Sequence, residues 1–199
     1  MKYVKILGVA AMVASAMMVL AASASATALY SSGSKLGVET EIVATLAGET
    51  ARLTTTGGTT LDTCTNGSVT GEIDGAGGAS ATVTGDVLAA DLDWENCTAT
   101  TTTTAGGELE IHQIGETTNG TLTAKGFDVV IDTIFGECGY GAANGTDLGT
   151  LTGKTASNAV MDINAVVVLE TDNGFCPASG KWVATYNVTT PANLYVEGS

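Results

Sequence analysis

Residues 159–188 read AVMDINAVVVLETDNGFCPASGKWVATYNV, and the fold of the chain turns on how this stretch is read. Met161, Ile163, Ala165, Val167 and Leu169 fall on every second residue, as do Trp182, Ala184, Tyr186 and Val188. Successive side chains of an extended chain point to opposite faces, so this spacing predicts two strands that each give one row to an apolar core. Between them, Asp172-Asn173-Gly174 and Cys176-Pro177 favour turns and stop a strand from continuing. The stretch is expected to form a hairpin whose loop is pinned through its cysteine.

Working outward, the same period recurs. Thr40, Ile42, Ala44 and Leu46 alternate, Gly48-Glu49 can turn, and Ala51, Leu53 and Thr55 resume the pattern, which predicts a first hairpin. Short strands are expected at 68–73 and 79–84 around the turn Asp74-Gly75-Ala76-Gly77-Gly78. From Asp86 to Cys97, Leu88, Ala90, Leu92 and Trp94 share one face while Asp91, Asp93 and Glu95 share the other, the pattern of a half-buried antiparallel strand. The threonine run 98–107 reads as a mobile loop, 108–114 as a strand, 121–131 as one long strand, 139–145 as a glycine-rich loop and 148–151 as a short strand. Thr favours strands and Gly favours turns, and no stretch beyond the N-terminus keeps helical spacing. The fold class is all-β, an antiparallel β-sandwich or closed β-barrel of roughly ten strands.

The first residues carry Lys2 and Lys5, then an uncharged apolar run from Ile6 to about Ala22, then Ala24-Ser25-Ala26. This is the layout of a secretory signal peptide cleaved after residue 26. The organisation expected is a signal peptide at 1–26, a flexible N-terminal segment at 27–35 and a single β domain at 36–199. Loss of the signal leaves five bases against 21 acids, a formal charge of −16. Such a surface opposes nucleic acid as a partner, because phosphate contacts need the opposite sign. After cleavage nothing in the sequence anchors the chain in a membrane, so it is expected to be secreted or held at the cell surface.

Four cysteines, Cys64, Cys97, Cys138 and Cys176, are an even count in an exported chain, which suggests two disulfides. Three connectivities are open; the pairing expected is Cys64 with Cys97 and Cys138 with Cys176. No C-x-x-C pair occurs, which argues against a zinc site.

Candidate chemistry is thin. On a strand, Glu108, Glu110 and His112 share a face and form the one weak metal candidate; a solvated outer face is the simpler reading. Asp91, Asp93, Glu95 and Asn96 lack the glycine-turned spacing of an EF-hand. No serine-hydrolase or zincin motif is present. Glycoside cleavage needs two converging carboxylates and usually aromatic platforms, but Trp94 and Trp182 fall in phase with apolar rows and read as core. No catalytic residue and no cofactor are assigned.

Several phrases, LYSSGSKLGVETEIVATL (29–46), LDTCT (61–65), LEIHQI (109–114), TNGTLTAKGF (118–127), GTDLGTLTG (145–153), MDINAVV (161–167) and CPASGKWVATYNVT (176–189) followed by LYV, resemble a group of uncharacterised exported bacterial proteins. The resemblance implies a signal-bearing, cysteine-bridged β domain without an established activity and assigns no functional residue. The expected role is non-enzymatic, binding or assembly at the cell surface or outside it, with a protein or polysaccharide partner. The alternative is a secreted hydrolase using acidic residues. Assembly would use an unpaired edge strand such as Leu194–Val196.

Overall fold

Strand-forming alternation carries through almost the whole chain in the computed structural model, which describes residues 26–48, 50–78, 81–133, 136–171 and 174–198. In chain order the strands are β1 (Ala28–Ser31), β2 (Ser34–Lys35), β3 (Glu41–Leu46), β4 (Ala51–Thr55), β5 (Thr60–Gly78), β6 (Ala81–Val87), β7 (Leu92–Cys97) and β8 (Thr100–Ala105). They continue with β9 (Gly107–Gln113), β10 (Gly120–Lys125), β11 (Phe127–Thr133), β12 (Gly136–Ala142), β13 (Thr146–Thr152), β14 (Val160–Thr171), β15 (Ser179–Thr190) and β16 (Leu194–Glu197). One 3₁₀ turn, Ala89–Asp91, joins β6 to β7.

The expected hairpin is β14–β15, paired antiparallel from Val160 opposite Asn187 to Val168 opposite Ser179. With β5 these two strands run the full height of the molecule, and everything else is hung on them. In the lower half, β3, β5, β6, β9, β10, β13, β14 and β15 pair in that order and β15 returns to β3, which closes an eight-stranded antiparallel barrel. Closure is the architecture; a sandwich would have left two open sheets. In the upper half the same three strands take other partners: β4 fills the wall between β5 and β15, β7 lies on the far edge of β5, and β12, β11 and β8 extend from β14. That wall also has eight strands, but among the described residues no ladder joins β7 to β8.

Met161, Ile163, Ala165 and Val167 of β14 and Ala184, Tyr186 and Val188 of β15 face the interior and are buried. Asp162, Asn164 and Thr185 face out, an apolar-in, polar-out wall that is the inverse of a membrane-spanning barrel. Val166, Val168 and Val183 interrupt that polar face. No helix among the described residues is long and apolar enough to cross a membrane.

Both disulfides form as expected, Cys64–Cys97 across neighbouring strands and Cys138–Cys176 from β12 to the β14–β15 loop. The first closes a loop of 33 residues, and removing that much freedom from the unfolded chain is worth about 4 kcal/mol. Two bridges also point to an oxidising compartment.

Several local expectations are corrected. The segment 27–35, expected as a lead-in to the domain, is paired into the fold: β1 pairs with β16 and β2, and Ala28 and Leu29 are buried against the barrel's lower end. Leu194–Val196 is not an unpaired edge, since β16 holds β1 on one side while Val196 N donates to Thr118 O and Leu194 O accepts from Lys154 N on the other. The threonine run is a strand, β8, paired with β11. Leu88 is 65% exposed because the chain leaves the wall there, stepping through the 3₁₀ turn from the lower partner of β5 to the upper one. Residues 121–131 form two strands, broken at Gly126 where φ is +80°; the left-handed backbone, easy for glycine, shifts the chain from the lower wall into the upper. The stretch 139–145 is mostly strand β12, whose Gly141 sits under Asp128 and Glu170; a Cβ there would fall 2.5 Å from the Glu170 carboxyl carbon. The 74–78 turn instead extends β5, and Ala79 and Ser80 lie outside the described residues.

Candidate functional site

The interior is packed with apolar side chains but is not filled to its centre. Three apolar spaces lie one above another; buried Ala51 and Ala142 border the top one, and mainly larger aliphatic and aromatic side chains line the others. The top space, about 60 Å³, is walled by Ala51, Leu53, Trp94, Phe127, Val167 and Trp182, among others. The middle one, about 30 Å³, lies between Leu148, Ile163 and Tyr186. The bottom one, about 60 Å³, lies between Ile73, Val83, Ile111 and Val188, closed from below by Leu29 and Leu194. An unfilled volume of 60 Å³ costs on the order of 1.5 kcal/mol in lost contacts.

Adjacent spaces share walls. Leu92, Phe127 and Trp182 border both top and middle; Leu109, Leu122 and Met161 border both middle and bottom. Trp94 and Trp182 meet edge to face with centroids 5.5 Å apart, a favoured aromatic geometry that forms one side of the top space. They pack against the main core, as their phase in the sequence predicts.

The top space borders the β7–β8 seam, where no backbone ladder closes the wall among the described residues. Leu92 and Trp94 of β7 and Thr101 and Thr103 of β8 face inward across the seam, which is stitched by side chains instead of a backbone ladder. Trp94 Nε1 donates to Thr103 Oγ1 at 3.1 Å, and Thr103 Oγ1 donates to Leu92 O at 3.0 Å. At the closed end of the seam lies Asp62, 3% exposed. Its carboxylate accepts from Thr63 N at 2.7 Å, Thr98 Oγ1 at 2.8 Å, Ala99 N at 2.9 Å and Thr101 Oγ1. A buried acid is tolerated because four donors satisfy it. It thereby fastens the turn between β7 and β8 onto β5 beside the Cys64–Cys97 bridge.

Two buried polar atoms find no such satisfaction. Trp182 Nε1 and Tyr186 Oη have no hydrogen-bond partner among the described residues. Burial alone holds the Tyr186 hydroxyl well above the usual tyrosine range.

The residues singled out in the sequence lie elsewhere. Glu108, Glu110 and His112 do share the outer face of β9, and Lys125 of β10 bridges the two acids at 2.5 and 2.6 Å. Its hydrogen bond holds Glu110 below the usual carboxylate range. The lysine supplies the positive charge a metal would bring. His112 Nε2 stands 3.8 Å from Glu110. Of the calcium candidates, Glu95 accepts from the Asn66 amide. Asp74, Asp86 and Glu108 also approach one another on the outer wall, where Thr84 donates to Asp74. Asp128 and Glu170 meet over Gly141, and repulsion from Asp128, with burial and a shared hydrogen bond, raises Glu170 above its ordinary value. That contact is far closer than the roughly 5 Å or more that glycoside hydrolysis requires, and it stands on a convex wall.

Sequence reasoning missed Asp62 and the seam. Five threonines in succession give no contrast between faces, so the inward set Thr101 and Thr103 could not be told from the outward one. The available signal was the LDTC phrase, where an acid takes an inward position two residues before an inward cysteine.

Fold and site together define an acidic, disulfide-bridged β-barrel with an apolar interior that reaches a side-chain-stitched seam. Comparisons with known protein families, with curated proteins and with solved structures found no match for the chain.

Proposed function

We propose that the protein is an exported, non-enzymatic binding domain, working at the cell surface or in the extracellular medium, that takes an apolar ligand or the apolar part of a larger partner into its barrel. The observation that carries the reading is the top space. Its wall is apolar, it lies against the only stretch of wall lacking a ladder among the described residues, and it weakens the fold unless filled. The disulfides, the acidic charge and the signal-like N-terminus support export. The rival hydrolase reading draws no support from the acids: Asp62 has its donors already, and the Asp128–Glu170 pair is too close.

Titration with benzene, followed through the methyl NMR signals of Ala51, Ala142 and Val167, tests the reading. Saturable shifts of those methyls, with the outward-facing Val166 and Val168 unmoved, are expected. Lining methyls that stay unmoved up to the solubility of benzene would refute it.

A further inference from the structure

The three spaces form a row, and a row selects for shape. Met161 borders the bottom space and Val167 the top one; six residues of strand span about 20 Å, somewhat less along the axis of a tilted barrel. One water-sized sphere needs roughly 10 to 15 Å³ of this kind of volume, and a methylene is of similar size. The top and bottom spaces then hold about four to six methylenes each and the middle one two or three, which makes about a dozen in a line. The partition between middle and bottom is Leu109, Leu122 and Met161, of which the unbranched methionine re-packs most readily, and that between top and middle is Leu92, Phe127 and Trp182. A rigid ring system could fill one space but not pass to the next.

The lower end is shut by Leu29, Leu194 and Val196, all buried, under β1 and β16. That leaves the upper side as the entrance, where the β7–β8 seam needs only the Thr103 bonds and the Trp94 side chain to shift. Asp93 and Glu95 of β7, with Asp91 just before it, line the β7 side of that seam, so an anionic head group would be repelled there.

We propose that the barrel binds a single linear aliphatic chain of about a dozen carbons, threaded along its axis from the β7–β8 seam, with an uncharged polar end left at the seam. This deepens the binding function proposed above and rests on it.

The test is a titration of the intact disulfide-bonded protein with a series of linear alcohols from butanol to dodecanol, read by the fluorescence of its two tryptophans, Trp94 and Trp182. Dodecanol is expected to bind one to one and at least a hundredfold more tightly than butanol, and at least tenfold more tightly than dodecanoate. Equal affinity along the series would overturn the threading, and dodecanoate binding as tightly as dodecanol would overturn the uncharged end. An Ile163→Phe variant, which narrows the middle space, should lose at least tenfold in dodecanol affinity while still binding benzene in the top space. Unchanged dodecanol affinity in a folded Ile163→Phe protein would also overturn the proposal, and the chain-length series decides the matter should that variant not fold. Benzene binding without dodecanol binding defeats the chain proposal alone; absence of both defeats the binding function with it.

Discussion

The lower and upper halves of the molecule share β5, β14 and β15 yet are held shut by different means. Below, every strand has a backbone partner on both sides, and the end is plugged by β1 and β16. Above, the β7–β8 seam, which has no ladder among the described residues, is spanned by threonine hydroxyls, a buried aspartate and an indole, and both disulfides lie in this half. Backbone ladders rupture cooperatively, whereas side-chain stitches can exchange one at a time. The upper half is therefore expected to open before the lower half unfolds, with the disulfides limiting how far.

The comparison is most severely tested by removing the upper tie. Replacing Cys64 and Cys97 by alanine should cost about 4 kcal/mol, measured by urea unfolding, and hydrogen exchange should quicken in β7 and β8 while β10 and β13 keep their protection. Uniform loss of protection would show that the halves are not separable. Asp62→Ala strands four donors and should cost about 2 to 3 kcal/mol, again with the β7–β8 turn loosened first.

Tyr186→Phe works in the other direction. Deleting a hydroxyl that is buried with no partner among the described residues should leave stability unchanged or raise it by up to about 1 kcal/mol; a loss of that size would show that the hydroxyl is bonded. The smallest effect belongs to the outer wall. Because Glu170 has a raised pKa, the fold holds its proton more firmly than the unfolded chain does, so repulsion from Asp128 appears only as pH rises through that value. Glu170→Gln should therefore raise the melting temperature by about 1 °C at pH 7, after discount for solvent screening, and leave it unchanged near pH 4.

How much of this was legible in the sequence follows from where residue types contrast. The β14–β15 hairpin was readable because Asp162 and Asn164 alternate with Met161, Ile163 and Ala165. Two disulfides were legible from an even cysteine count in an exported chain, but three connectivities stayed open, and the expected Cys64–Cys97 and Cys138–Cys176 pairing is the one that forms. β8 was not, since a threonine suits either face, and β12 was not, since Gly139 and Gly141 look like loop until the side chains of Thr171 and Glu170 are seen lying over them. The stacking of two eight-stranded walls on three long strands was hidden because it depends on which edge of β5 each partner takes. The axial spaces were hidden for a related reason: each lining side chain is an ordinary core residue by itself, and only the closed wall brings them round one axis.

A crystal of the protein held under xenon pressure gives the most direct test of an interior able to receive apolar matter. The account predicts xenon density beside Trp94, Phe127 and Trp182, with weaker density toward Met161. An interior without xenon at any of the three levels would contradict it.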